Sequence, residues 1–188
     1  GNGTASIVLA ASEDTLDEND ETAVIDISTV TNGTEVGAEQ ETVTIVDNDA
    51  PPTVTMTVVS TTLGEDTGTT TTTVTVNLNT ASGLNVTVVL DKSGTAISGT
   101  DYTLTSPITI LAGTTTASTT LTILGDSLNE GNETIIIDMG TVTNGTESGV
   151  QSKTVTITDD DAQPTVTLSV SGTTMGENSG TTTRQVTA

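Results

Sequence analysis

The chain has 188 residues and a formal net charge of −22, from 25 Asp and Glu residues against three Lys and Arg residues. This charge makes nucleic acids and anionic membrane surfaces poor partners, because both are bound through basic residues. The chain contains no Cys and no His, which excludes disulfide bonds and the ligands that zinc and copper sites need. No apolar run approaches the ~20 residues of a membrane-spanning helix, so we expect no membrane insertion in this segment.

Seven short segments between residues 53 and 158 alternate apolar and polar residues, the pattern of half-buried β-strands. Gly, Asn and Asp separate these segments, as in the turn Thr143-Asn144-Gly145-Thr146. Seven strands at this spacing predict an all-β fold of immunoglobulin-like antiparallel β-sandwiches, each of about seven strands. The apolar residues of the seven segments are Val54, Met56 and Val58; Val74, Val76 and Leu78; Val86, Val88 and Leu90; Ile108 and Ile110; Leu121 and Ile123; Ile135 to Met139; and Val155 and Ile157.

The sequence repeats itself without gaps after 112 positions. Residues 14–22 correspond to residues 126–134, and Asp47-Asn48-Asp49 corresponds to Asp159-Asp160-Asp161. This period fits one immunoglobulin-sized sandwich and is too long for one coil of a solenoid. The repeat therefore predicts a tandem array of β-domains.

The domain boundaries are predicted from two short Pro-containing joints, Ala50-Pro51-Pro52 and Ala162-Gln163-Pro164. Pro interrupts a strand ladder and suits a stiff connection. We expect residues 50–161 to form one complete domain. Residues 1–49 are then the C-terminal part of a preceding repeat, residues 162–188 are the N-terminal part of a following one, and the whole is a window of a longer chain.

Acidic residues occur in four separate segments that an antiparallel sandwich would bring to one end. Successive connections alternate between the two ends, so the loops after the first, third and fifth predicted strands share an end with the exit of the last strand. Eight carboxylates lie there: Glu65, Asp101, Asp126, Glu130, Glu133, Asp159, Asp160 and Asp161. The repeat supplies their counterparts Asp14, Glu18, Glu21, Asp47, Asp49 and Glu177.

Eight like charges in one loop cluster are unfavourable unless they bind cations. Oxygen-only ligands in flexible loops suit Ca²⁺ better than Mg²⁺, which keeps its water molecules. The alternative is that these acidic residues are ordinary solvent-exposed residues of surface loops. Their convergence from four segments, and their recurrence at the repeat period, favour the Ca²⁺ site.

Several short motifs, taken together, resemble the Calx-β domain, which occurs in sodium–calcium exchangers and as repeats in large surface and adhesion proteins. The resemblance implies a Ca²⁺ site at one end of the sandwich, at the acidic positions given above. Asn48 in the upstream triplet and Gly125 before Asp126 depart from the family pattern and lower the charge. The motifs are Gly64-Glu65, Gly99-Thr100-Asp101-Tyr102, Ala112-Gly113-Thr114-Thr115, Asp126 with Glu130-Gly131-Asn132-Glu133, and Thr156-Ile157-Thr158-Asp159-Asp160-Asp161.

The function expected from these features is a Ca²⁺-binding structural repeat of a large secreted or cell-surface microbial protein, such as an adhesin stalk or an extracellular filament. The expected partners are neighbouring repeats of the same chain and homotypic filament contacts. Two alternatives stay open: a Ca²⁺-sensing regulatory module and a glycan- or surface-binding adhesion module. We expect no enzyme and no catalytic residues, because His and Cys are absent and only two Lys could act as a base.

Overall fold

The computed structural model of the protein describes residues 3–65, 69–177, 180 and 182–188. All regular secondary structure in these ranges is β-strand, and the described residues contain no helix that is long and apolar enough to cross a membrane. The strands are, in chain order, β1 (Glu21–Asp26), β2 (Gln40–Ile45), β3 (Thr53–Val58), β4 (Thr62–Gly64), β5 (Thr69–Leu78), β6 (Val86–Gly94), β7 (Tyr102–Leu104), β8 (Ile108–Ile110), β9 (Thr116–Leu124), β10 (Glu133–Thr143), β11 (Thr146–Glu147), β12 (Ser152–Thr158), β13 (Ser169–Val170) and β14 (Val186–Thr187).

Strands β3 to β12 form a sandwich of two five-stranded sheets. One sheet has the order β4-β12-β10-β6-β8, and the other has the order β11-β3-β5-β9-β7. Most neighbours are antiparallel, whereas β4 runs parallel to β12 and β11 runs parallel to β3. The predicted all-β sandwich is therefore confirmed.

Each of the seven predicted strands is present, and the sandwich contains three further short strands, β4, β7 and β11. Strand β4 follows β3 closely but joins the opposite sheet, where it pairs with β12. Strand β7 lies in a segment that the sequence predicted as a polar loop. Its residues Tyr102 and Leu104 are buried and pair with β9. Each of these strands is two or three residues long and was not distinguished from a loop in the sequence, so tertiary pairing defines them.

The core lies between the two sheets and consists of the inward-facing residues of the alternating strands. Met56, Leu121 and Ile137 are at most 1% exposed, and so is Ile157 from the last strand of the sandwich. Burial of such side chains contributes about 1.5–3 kcal/mol each. The packed core fixes the strand ends and thereby the positions of the loops that leave them.

The flanking segments form strand pairs that match pairs of the sandwich. Glu21 lies opposite Ile45 in β1 and β2, as Glu133 lies opposite Ile157 in β10 and β12. In β13 and β14, Val170 lies opposite Val186, as Val58 lies opposite Val74 in β3 and β5. Each pair has the register of its counterpart after the shift of 112 positions. Apolar residues such as Val24 (56% exposed) and Val166 (80%) lack a covering second sheet within the described residues.

Candidate functional site

Four connections meet at the end of the sandwich from which the chain leaves β12. The Glu65 N–H donates to the Thr158 carbonyl (3.0 Å), and the Leu124 N–H donates to the Asp101 carbonyl (2.8 Å). These bonds join the β4–β5 and β6–β7 connections to the ends of β12 and β9. The acidic residues at this end, here called the exit cluster, are Glu65, Asp101, Asp126, Glu130, Glu133, Asp159, Asp160 and Asp161.

Glu65 is the most buried carboxylate of the exit cluster, with 4% of its surface exposed. Burial, together with the neighbouring charges of Asp126, Glu130, Asp159 and Asp101, raises the pKa of Glu65 to about 7. One carboxylate therefore feels charges from three other segments. A bound cation would offset both the cost of burying the Glu65 charge and the repulsion from its neighbours.

The β6–β7 loop places Asp101 next to Glu133. Gly94 has a φ of 120°, and a Cβ at this position would overlap the Thr134 carbonyl, so only Gly permits this close approach to β10. Asp101 is 8% exposed, and its Oδ2 accepts a hydrogen bond from the Ile97 N–H (2.6 Å). Burial, the charge of Asp101 and a hydrogen bond with its side chain raise the pKa of Glu133.

Two Asn side chains connect the β9–β10 loop to the triplet Asp159–Asp161. The Asn129 Nδ2 donates to Asp159 Oδ2 and to the Asp161 carbonyl, at 2.9 Å each. The Asn132 Oδ1 accepts a hydrogen bond from the Asp159 N–H (3.2 Å). The contacts of these two amides were not predicted, because a polar loop has no periodicity that shows where an amide points.

The donor set of the exit cluster fits a hard cation. All its ligand atoms are oxygens, and Asp161 Oδ2 is the one buried side-chain polar atom in the described part of the chain that lacks a hydrogen-bond partner. Over the same ranges, no three acidic side chains stand in the arrangement of a ready-made metal site. The exit cluster therefore has oxygen atoms of the kind that Ca²⁺ binds, but it does not hold three acidic side chains in a preformed metal site.

The upstream cluster is the corresponding group in residues 1–49: Asp14, Glu18, Glu21, Asp47 and Asp49. These five residues line a cavity of about 110 Å³, together with Glu13, which the sequence analysis did not select. Partial burial raises the pKa of Glu18, and the charges of Asp14, Glu21, Asp47 and Asp49 add to the effect. Burial also raises the pKa of Asp49, followed by the charges of Asp47, Asp14, Glu13 and Asp17.

The predicted acidic residues thus gather in two groups, and Glu177 is the exception. Asp160 is the exposed member of its triplet. Glu177, the counterpart of Glu65, is exposed in the C-terminal segment, and residues 178–179 beside it lie outside the described ranges. The assignment of these residues as metal ligands stays a prediction.

Comparison with known proteins gives one family match and several similar solved structures. The profile of the Calx-beta domain matches residues 47–161. The chain is similar to the apo-form Calx CBD1 domain, with 21% identity, a TM-score of 0.47, and coverage of 58% of this chain and 99% of that one. It is also similar to CBD12 from CALX1.2, with 22% identity, a TM-score of 0.47, and coverage of 56% and 45%. A third similar structure is the calcium binding domain CBD12 of CALX1.1, with 23% identity, a TM-score of 0.45, and coverage of 53% and 41%.

The chain therefore spans less than half the length of the two CBD12 structures. No protein of curated function matches it. Calx-beta domains bind Ca²⁺ in homologues and are binding or regulatory modules. Since the family profile covers more than half of its residues, the chain belongs to the Calx-beta family.

Proposed function

We propose that this chain is a Ca²⁺-binding structural repeat of a large secreted or cell-surface protein, such as an adhesin stalk or filament of a microbe. Ca²⁺ bound at the end of each sandwich rigidifies the array. The observation that supports this most directly is that carboxylates of four segments gather where the chain leaves for the next repeat. An ion bound at that point would restrict the motion of the loops at this end of the sandwich and of the connection to the next repeat.

The ligands would come from the exit cluster, with Glu65, Asp101, Asp126, Asp159 and Asp161 as the central candidates. Ca²⁺ takes about six to eight oxygen ligands, which such carboxylates supply in monodentate or bidentate form. The ion contributes positive charge that offsets the repulsion between the carboxylates. Asp161 Oδ2 would gain a partner when the ion binds, because this atom is buried without a hydrogen-bond partner.

Calcium removal tests the proposal. Ligand binding to the native state at about 100 times the Kd stabilises it by about 2.7 kcal/mol, which corresponds to a rise in Tm of several degrees. Calorimetry with Ca²⁺, with a chelator, and with Mg²⁺ as a control should show this rise for Ca²⁺. Small-angle scattering should show a more extended and less variable envelope with Ca²⁺. The proposal fails if a chelator changes neither the Tm nor the scattering.

A Ca²⁺-sensing regulatory module is the second candidate. One contact favours it: the upstream acidic loop touches the next sandwich, where the Ser82 hydroxyl donates to the Asp17 carbonyl (3.1 Å). An ion at the upstream cluster would then act next to a neighbouring domain. A Ca²⁺ titration separates the two functions, because sensors half-saturate at roughly 10⁻⁷–10⁻⁵ M and extracellular modules at roughly 10⁻⁴–10⁻³ M.

A further inference from the structure

The acidic loop of the upstream cluster reaches the loop between β5 and β6, at the end of the sandwich opposite the exit cluster. The Asp17 carbonyl accepts hydrogen bonds from the Gly83 N–H (3.1 Å) and from the Ser82 hydroxyl (3.1 Å). Asp17 is 9% exposed and Ser82 is 1% exposed. Two loops that are 65 positions apart in sequence therefore bury polar groups against each other and satisfy them.

The sandwich itself holds the β5–β6 loop in the shape that this contact needs. The Ser82 Oγ accepts the Leu84 N–H (3.0 Å), and the Ser82 carbonyl accepts the Gly113 N–H (2.8 Å). Asn85 Oδ1 accepts the Ala112 N–H (2.9 Å). Because these bonds lie within residues 50–161, the Ser82 hydroxyl and the Gly83 N–H are positioned without any help from the upstream segment.

Gly83 leaves no room for a side chain. A Cβ at this position would lie 2.5 Å from the Glu18 Cγ and from its Oε1. Glu18 belongs to the upstream cluster and follows Asp17 directly. A side chain at position 83 would therefore displace the side chain of Glu18, which is a candidate Ca²⁺ ligand.

We infer that Ser82 and Gly83 form the docking surface for the acidic loop of the preceding repeat of the same chain. The contact consists of two hydrogen bonds to one carbonyl and the close fit of Glu18 over Gly83, so it needs no bound ion and goes beyond the proposed function. Its response to Ca²⁺ does rest on the proposed function, because that response requires an ion bound by Glu18 and its neighbours.

The test measures the distance between the two parts of the 188-residue chain. The sequence contains no Cys, so Thr34→Cys and Thr120→Cys introduce unique sites for spin labels. Both positions are exposed, one between β1 and β2 and the other on β9. Electron–electron double resonance should give a narrow distance distribution for a docked chain in Ca²⁺. In chelator the distribution should still be narrow, but less so than in Ca²⁺.

Gly83→Glu is the decisive variant, because it adds a side chain and a negative charge beside Glu18. Overlap and like-charge repulsion should make the distance distribution about twofold broader. Thr57→Glu is the matched control, since it adds the same charge at an exposed position of β3 and should leave the distribution unchanged. If Gly83→Glu abolishes the thermal transition of the sandwich, Gly83→Ala and Ser82→Ala replace it and should broaden the distribution to a smaller extent.

A broad distribution in the parent chain, with and without Ca²⁺, would overturn the docking surface. A Gly83→Glu variant that folds and stays as narrow as the control would overturn it as well. If the parent is narrow, the variant is broad, and calorimetry detects no Ca²⁺ binding, the docking surface stands and the proposed function fails. The two ideas therefore have separate points of failure.

Discussion

The upstream cluster and the exit cluster use the same loop in two ways. In both, the first Asp caps its own turn, as Asp14 Oδ1 accepts the Leu16 N–H (2.9 Å) and Asp126 Oδ1 accepts the Leu128 N–H (2.7 Å). The clusters differ at Asp17 and its counterpart Asn129. Asn129 donates to the triplet of its own repeat, whereas Asp17 cannot donate and its carbonyl faces the next sandwich.

This difference shows how one amide changes the task of a loop. A carboxylate in an acidic cluster adds repulsion, while an amide of the same shape supplies two N–H donors to the surrounding oxygens. The Asn129 amide thus partly connects the exit cluster in the way that a cation would. The upstream loop has no such donor at position 17, and it is held to its own triplet by two other bonds: the Glu18 N–H donates to Asp47 Oδ2 (3.2 Å), and Asp20 Oδ1 accepts the Asp47 N–H (3.0 Å). The Asp17 carbonyl is instead bonded to the neighbouring sandwich.

The largest effect should come from Glu65→Gln in the exit cluster. Loss of this charge should weaken Ca²⁺ binding by about tenfold or more, equal to about 1.4 kcal/mol. The Tm of the metal-free protein should rise, because a buried charge surrounded by four acidic neighbours is removed. Titration calorimetry and thermal melts in chelator measure the two effects.

Glu147→Gln is the control for Glu65→Gln, since Glu147 is exposed on β11, at the other end of the sandwich. It should change neither the affinity for Ca²⁺ nor the response to chelator. Glu65→Gln should also leave the upstream cluster intact. A variant that binds Ca²⁺ as tightly as the parent would remove Glu65 from the site.

The pH dependence of stability should have opposite signs in metal-free and Ca²⁺-bound protein. Burial and the neighbouring carboxylates raise the pKa of Glu65 from 4.5 to about 7, so the native state binds this proton more tightly than the unfolded chain does. The stabilisation by this proton is complete below the unfolded pKa and is lost as pH rises through the folded pKa. Metal-free protein should therefore melt at a lower temperature at about pH 8 than at about pH 5.5.

Saturating Ca²⁺ should reverse this order, because the ion and the proton compete for the same carboxylates. Thermal melts over this pH range, with Ca²⁺ and with chelator, measure both slopes. Glu65→Gln should flatten the metal-free slope. A metal-free Tm that rises with pH would show that the carboxylates of the exit cluster do not oppose folding.

Asn129→Asp should make the exit cluster resemble the upstream cluster. The variant loses the amide donors to Asp159 and Asp161 and adds a negative charge, so the metal-free stability should fall by about 1 kcal/mol. Ca²⁺ should then raise the Tm by more than in the parent protein. Asp17→Asn is the mirror-image control, and it should keep the contact to Ser82, which uses the carbonyl of residue 17. An unchanged chelator melt for Asn129→Asp would mean that its amide bonds contribute nothing to the exit cluster.

The sequence predicted the features that local patterns control. Alternating apolar residues identified the main strands, and Asn144 has the left-handed φ of 57° that its turn motif predicted. Because successive connections alternate between the two ends of a sandwich, the sequence also predicted that the acidic segments share one end. Strand β7, the Asn129 amide bonds and the contact of Asp17 with Ser82 were not predicted. Each depends on a partner at least 17 residues away that leaves no periodic signal in the sequence.

Asn48→Asp should have the smallest effect, because it changes charge without removing a strong contact. The Asn48 Nδ2 donates to Glu13 Oε2 at 3.4 Å in an exposed site, and exposed contacts of this kind contribute about 0.5 kcal/mol or less. The variant restores the third Asp of the upstream triplet, so metal-free stability should fall slightly and the affinity for Ca²⁺ should rise a few-fold. Asp160→Asn is the reciprocal change in the exit cluster and should lower affinity by a similar factor. If both variants leave Ca²⁺ binding unchanged, the middle residue of each triplet is not a Ca²⁺ ligand.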